Sequence, residues 1–376
     1  MSAAPAVVLT GAHGFLGWHL SCLLRAVHGI EPVRLGREEM GDADSLAAIV
    51  TGADVVVHVA GVNRADSDQA IEHGNLELAE TLAAALKRRE EPVDVVFANS
   101  IQADVDSPYG RGKAGSSAIL REAVRSAGGR YADVLLPNLF GEHGRPLYNS
   151  FVATFADAVA QGREPTVTDD REIPLLHAQA AAGLLAEIAL GDSDGEHRPT
   201  GEPHAISEVL ARLTSMHELY AGGEVPPLTT PFEVDLFNTY RSYRFPEMFP
   251  FSPQVHSDDR GDLFETLRAH GGTGQSFVST TVPGATRGDH YHLRKVERFF
   301  VVKGEAEIAL RRLLHDDVVT FRVGGSSPAF VDMPTLWVHN ITNVGDDELV
   351  TMFWSDQLLD TDDPDQYPER VRPEAA

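Results

Sequence analysis

From Ala6 to about Tyr240, short β-branched and apolar runs alternate with longer stretches of amphipathic spacing. Ala6–Thr10, Asp54–Ala60, Asp94–Asn99 and Tyr131–Leu136 have the continuous apolar character of buried strands. Gly17–His28, Asn75–Arg89 and Lys113–Gly128 read as the helices between them. Such alternation predicts a parallel sheet with helices on both faces, a Rossmann-type doubly wound α/β domain. Near Arg241–Gln254 the pattern breaks, because RSYRFPEMFPFSPQ holds three prolines and four aromatic residues without a period. That composition predicts a packed connector. Beyond it come short strands separated by Gly and Pro turns: Gln275–Thr281, Arg298–Val302, Ala306–Arg311, Phe321–Val323, Ala329–Val331 and Leu349–Trp354. They predict an all-β barrel or double-sheet jelly roll. Two domains are therefore expected, residues 1–243 and 244–376. The acidic tail from Asp360 onward is expected to be a surface cover or a loose end.

Composition narrows the functional classes. At 376 residues the chain fits two or three domains of roughly 100–200 residues each. Apolar residues at 43% and charged residues at 23% exclude disorder as the main state. The formal charge of -25 argues against nucleic acid as a partner, since phosphate-backbone binding needs a dense cationic face. Cys22 is the single cysteine, which excludes disulfide scaffolds and cysteine-based zinc sites. No apolar run nears the ~20 residues of a membrane span. Met1–Val7 lacks the basic start and long apolar stretch of an export signal. A soluble, cytoplasmic, multidomain enzyme is the expectation.

The first chemical motif follows the first strand: Gly11, Ala12, His13, Gly14, Phe15, Leu16, Gly17. Glycines at this spacing between strand and helix let the backbone approach a pyrophosphate, whose charge then meets the helix N-terminus. The second strand ends Pro32-Val33-Arg34-Leu35-Gly36-Arg37. With no carboxylate at that strand end and with Arg34 and Arg37 able to pair with a 2′-phosphate, NADPH is favoured over NADH. Strand alternation leaves open which arginine points inward. Next come Ser100 and Tyr109-Gly110-Arg111-Gly112-Lys113, whose spacing places Tyr109 and Lys113 one helical turn apart. An ammonium beside a tyrosine of pKa ~10 favours the ionised phenol. Lys113 can also hold the nicotinamide ribose, and Ser100 can bond a substrate carbonyl.

These motifs resemble the extended short-chain dehydrogenase/reductase superfamily. The resemblance implies a strand and loop at Asp54–Ala60 covering the adenine and ribose, an asparagine, Asn75, opening a helix, and a nicotinamide-bordering turn at Pro137 and Asn138. Asp169-Asp170-Arg171 fits a further segment of the superfamily, but the aspartate expected shortly after His177 is replaced by Gln179-Ala180.

The C-terminal region carries Gly284, His290-Tyr291-His292, Glu297 and Gly304 at the fixed spacing of the first cupin motif, which it resembles. On a strand His290 and His292 share a face, and Glu297 on the next strand can turn to the same point. The second motif is seen in Pro334 to His339 and Asn343, with departures at Leu336 and Pro328 where glycines are usual. Three histidines and a carboxylate (His290, His292, Glu297, His339) suit a divalent metal, with zinc preferred. The stretch is also similar to the dTDP-4-keto-6-deoxysugar 3,5-epimerases, cupins without an obligatory metal. In them the histidine of an Arg-Gly-x-His segment, here Arg287 to His290, is the base. His290 is thus ligand or base. Asp258-Asp259-Arg260-Gly261 and Glu265 resemble that family's diphosphate-contacting part.

Reductase and cupin together resemble the CapF family of bifunctional capsular-polysaccharide enzymes, over about Ala6 to Tyr367. Gly61-Val62-Asn63-Arg64 and Pro137-Asn138-Leu139-Phe140-Gly141 are among the matching stretches. The resemblance implies a UDP-linked 4-keto-6-deoxy-2-acetamido sugar, epimerised at carbon 3 by the cupin and reduced at carbon 4 with NADPH, as in UDP-N-acetyl-L-fucosamine formation. Tyr109, Lys113, Ser100 and His290 then carry the chemistry, Arg64, Asn138, Arg260 and Arg287 face substrate, and a homodimer is expected. The open alternatives are a dTDP- or other keto-sugar reductase with a structural cupin, and a non-catalytic NADPH or sugar sensor.

Overall fold

The computed structural model describes residues 4–41 and 43–373. Two compact units emerge. One holds the chain through Phe140 with Gly144–Phe151 and Asp169–Ile206; the other holds Gly141–His143, Val152–Thr168 and the chain from Ser207. The expected boundary at 243/244 falls within the second.

In the first unit six parallel strands lie in the order Val33–Leu35, Val7–Thr10, Val55–His58, Asp94–Ser100, Tyr131–Leu136, Gly195–His197. Alternation along each strand feeds two cores. Val7, Leu9, Val55, Val57, Val96, Ala98, Val134 and Leu136 pack with the helices Phe15–His28 and Ala178–Leu190. Val8, Val56, Val95, Phe97 and Tyr131 face Ala43–Thr51, Asp68–Leu86 and Pro108–Ser126. A period of two on apolar strands thus yields the doubly wound three-layer fold. Strand order reverses between Val7–Thr10 and Val55–His58, which opens a crevice at their carboxyl ends.

Two helices begin earlier than their apolar spacing indicates, because a serine caps each. Ser67 Oγ accepts from Ala70 N and starts Asp68–Leu86, so Asn75 lies mid-helix and does not open it. Ser107 Oγ accepts from Gly110 N and starts Pro108–Ser126, with Pro108 in the first turn, where its missing N–H costs nothing.

In the second unit one antiparallel sheet runs Gln275–Thr281, Leu349–Ser355, Glu297–Lys303, Phe330–Met333. The other runs Val318–Gly324, Glu305–Arg312, Trp337–Asn343, Thr286–Tyr291, Tyr367–Pro368. This is the expected double-sheet all-β arrangement. The helix Pro231–Arg241, closed at its start by a Thr230–Glu233 capping box, belongs to this unit. So does most of Ile206–Tyr220, whose Tyr220 hydroxyl donates to Asp332 of the first-named sheet at 2.9 Å. The acidic tail is a cover rather than a loose end. Tyr367 and Pro368 pair with Tyr291 and His290, Val371 is fully buried, and Asp365 is buried with it.

Among the described residues no helix is long and apolar enough to cross a membrane. Leu20 is fully buried between its helix and the sheet. Leu20→Ala is expected to destabilise the first unit by about 2–5 kcal/mol, read from a lower urea midpoint.

Candidate active sites

The first site lies along the carboxyl edge of the parallel sheet. Gly11 turns the chain there with φ +67°, and a Cβ on it would lie 2.6 Å from Ala60 N. A Cβ on Gly17 would lie 2.2 Å from Gly11 O, so close strand–helix packing excludes any side chain there. Gly14 caps Phe15–His28 with extended backbone, with no side-chain cap and no acidic residue in the first turn. The helix N-terminus therefore offers its N–H groups and positive end to an anion.

Arg34 and Arg37 are both exposed at the next strand end. Sequence reasoning missed Glu39 there. A helical turn brings its carboxylate back to accept Gly36 N at 2.8 Å, beside His13, and these bonds hold its pKa down. The strand end carries a carboxylate after all, one invisible to a reading of the strand alone.

Asp54 is not brought to this edge. It stands just before its strand, its carboxylate accepting Ala6 N at 2.7 Å, and parallel pairing puts strand starts at the end away from the glycine loop. Asn75 ties its helix to the loop after the same strand: Oδ1 accepts Val62 N at 3.1 Å, and Nδ2 donates to Val62 O and, within the helix, to Ile71 O. The neighbouring Arg64 lies over the Tyr148 ring, 5.7 Å from its centre.

Ser100 ends its strand, and the helix Pro108–Ser126 carries Tyr109 and Lys113 toward it. Tyr109 is hydrogen-bonded to Ser100, while burial pushes the phenol up to about 12. Lys113 is buried, its Nζ donating to Ala98 O at 2.7 Å and standing 4.0 Å from the Phe97 ring centre. Burial lowers its ammonium to about 7 against the opposing pull of Asp133. Pro137 and Asn138 follow the adjacent strand, so both stand at the same edge.

The second site lies in the antiparallel unit. A register shift between Gly288 and His290, with Asp289 at φ +58°, sets His290 opposite His339 across the strand pair. His292 and Glu297 complete a cluster whose ligand atoms all lie within 4.8 Å of one another. His292, Glu297 and His339 are buried, and His290 is half-buried. His292 Nδ1 is held by Asp365 O and His339 Nδ1 by Trp337 O at 3.0 Å. With their Nδ1 protons given to carbonyls, both rings aim an Nε2 lone pair inward. Those atoms sit 2.9 Å and 3.5 Å from Glu297 Oε2 and have no other partner among the described residues. Two buried lone pairs converging on a carboxylate suit a cation, so the residues fit a divalent metal. Burial and then its neighbours His339 and His292 lower His290 to about 3, leaving it neutral.

Asp365 is a support that sequence reasoning missed. Its carboxylate accepts Leu293 N, Arg294 N and Lys295 N at 2.8–3.0 Å while its carbonyl orients His292. The only signal was one aspartate in an acidic tail. Arg287 is tied to Thr281 Oγ1 and Thr280 O, and Arg260 pairs with Asp258 on an exposed hairpin. The structure brings neither to the histidine cluster through a direct contact.

Residues 7–185 match the NAD dependent epimerase/dehydratase family, and residues 256–367 match the polysaccharide biosynthesis C-terminal domain. The chain is 30% identical over 365 residues to the UDP-2-acetamido-2,6-beta-L-arabino-hexul-4-ose reductase of Pseudomonas aeruginosa, covering 96% of this chain and 97% of that protein. The crystal structure of the capsular polysaccharide assembling protein CapF from Staphylococcus aureus superposes with a TM-score of 0.63 at 31% identity, covering 97% and 99% of the two chains. A shorter match, 27% identical over 129 residues, covers 81% of the probable low-salt glycan biosynthesis epimerase Agl13 of Haloferax volcanii and 31% of this chain.

Asp365→Ala would strip three backbone N–H groups of their acceptor and loosen His292. It is expected to cost about 2–4 kcal/mol, measured by chemical unfolding of the second unit.

Proposed function

The chain belongs to the family of CapF and the Pseudomonas aeruginosa hexulose reductase, and on that premise we propose that it performs two consecutive steps on one UDP-linked 4-keto-6-deoxy-2-acetamido sugar. It is an enzyme of the nucleotide-sugar reductase/epimerase type, connected with polysaccharide biosynthesis. In our reading residues 244–376 hold a cupin that epimerises carbon 3, and residues 1–243 hold the reductase that then converts the carbon-4 ketone to an alcohol. One observation supports this most: a single chain holds both a Ser100–Tyr109–Lys113 set beside a glycine loop and a buried His290–His292–Glu297–His339 cluster.

In the epimerisation, the proton on carbon 3 is acidic only when the developing enolate oxygen is stabilised. When bound, a divalent cation, zinc in our reading, supplies that positive charge. His292, Glu297 and His339 hold it, with carbonyls fixing the tautomers of the two histidines. His290, neutral and the most accessible of the four, is either the fourth ligand or the base that takes the proton. Reprotonation on the opposite face inverts the carbon. Arg260 and Arg287 are our candidates for the substrate diphosphate, and cations are needed in a chain of net charge -25.

In the reduction, NADPH supplies the hydride when bound. Gly11, His13, Gly14, Phe15, Leu16 and Gly17 cradle its pyrophosphate. Arg34 and Arg37 pair with the 2′-phosphate, and Ala60, Pro137 and Asn138 line the crevice. Ser100 holds the oxygen at carbon 4, and Tyr109 gives that oxygen its phenolic proton. Lys113 stabilises the phenolate left behind and bonds the ribose. Arg64 and Asn138 are the substrate contacts on this side. Glu39 at the 2′ edge favours NADH as the second reading. A homodimer in the cytoplasm completes the proposal; the edge strand Gln275–Thr281, where Phe277 and Val278 are 45% and 65% exposed, supports its dimeric part.

Incubation with the keto sugar in D₂O without NADPH is expected to place deuterium at carbon 3; its absence would sink the epimerase step. His339→Ala should abolish that exchange and leave NADPH binding intact. Tyr109→Phe should lower the reduction rate about 10²–10⁴-fold and leave exchange unchanged. The double change Arg34→Ala, Arg37→Ala should weaken NADPH about tenfold or more without affecting NADH. Equal weakening of both would favour NADH. Because Lys113 loses its charge above about 7, the reduction rate should fall as pH rises through neutrality.

A further inference from the structure

Asp133 has no place in the chemistry above, yet it is a carboxylate buried in the strand Tyr131–Leu136, deep beside the reductase residues. A buried carboxylate needs hydrogen bonds or a counter-charge on every side. Oδ1 accepts Asn99 Nδ2 at 2.8 Å, and Asn99 Oδ1 in turn accepts the peptide N–H of Ser100 at 2.8 Å. Oδ2 accepts from Ser117 Oγ, one turn beyond Lys113 on the same helix, and from Arg121 at 3.3 Å. Tyr131 also donates to Ser117. One carboxylate thus fastens the strand that ends in Ser100 to the helix that carries Tyr109 and Lys113.

We propose that Asp133 is the positioning residue of the reductase site: through Asn99 it sets the peptide of Ser100, and through its bond to Ser117, one turn from Lys113, it places a buried negative charge beside the helix face that carries Lys113. The inference rests on the reductase reading of Ser100, Tyr109 and Lys113. The groups around Lys113 support it. Phe97 and Ala98 O face it from its own side of the sheet, and His58, kept neutral by burial and by Lys113 itself, offers no negative charge. Tyr109, on the same helix, is protonated. Arg121 pairs with Asp133 at 3.3 Å and so offsets part of that carboxylate's charge. Asp133 is the charge that raises Lys113 against burial.

The chain has four lysines, so the titration of Lys113 can be followed by NMR of ¹³Cε-labelled lysine, assigned with Lys113→Arg. No substrate or cofactor is needed, which separates this test from the reductase reading. Asp133→Asn is expected to lower the Lys113 midpoint by on the order of one pH unit. The basic limb of the reduction rate should move down with it, at unchanged KM for the sugar. Ser117→Ala, which removes a bond and no charge, should leave the midpoint in place. An unmoved midpoint in folded Asp133→Asn overturns the proposal. If that variant does not fold, Arg121→Gln, at a half-exposed position, decides: an upward shift supports the proposal, and none overturns it. A shifted midpoint in a protein without any reductase activity would uphold the role of Asp133 and refute the reductase reading alone.

Discussion

A carboxylate taken out of water dictates what surrounds it, and both candidate sites are organised around such groups. In the parallel-sheet unit Asp133 collects Asn99, Ser117 and Arg121. In the antiparallel unit Glu297 stands between His292 and His339, and Asp365 takes three consecutive backbone N–H groups. Asp332 of the same unit is closed off by Arg298 at 2.7 Å and by Tyr220. Each arrangement fixes side chains from separate strands or helices in one geometry, which a reaction at a defined carbon requires.

The two units present their chemistry by different means. Parallel pairing puts every strand's carboxyl end on one edge, so Gly11, Ala60, Ser100 and Pro137 meet there although they are far apart in the chain. Antiparallel pairing instead brings His290 opposite His339, with a bulge to adjust the register.

Much of this was legible in the order of residues. The strand runs were continuously apolar, as strands buried on both faces are, and the glycines marked where backbone must approach backbone. The Tyr109–Lys113 spacing needed only one helical turn to become a shared face. Helix starts were less legible, since Ser67 and Ser107 exert their effect through a single bond each, outside the apolar pattern. Glu39 was overlooked because it reaches the strand end by a turn, and Asp54 was misplaced because a strand's direction decides which end meets the cofactor edge.

The sequence alone determined the two architectures, the glycine loop and the identity of the four metal-suited side chains, because each depends on local spacing that a strand or a helix converts directly into geometry. Tertiary structure decided the surroundings: the Asp133 network under Lys113, the Asp365 carbonyl behind His292 and the Trp337 carbonyl behind His339. Charge state and tautomer follow from burial and from long-range partners. Neither exists until strands distant in the chain have paired and water has been excluded.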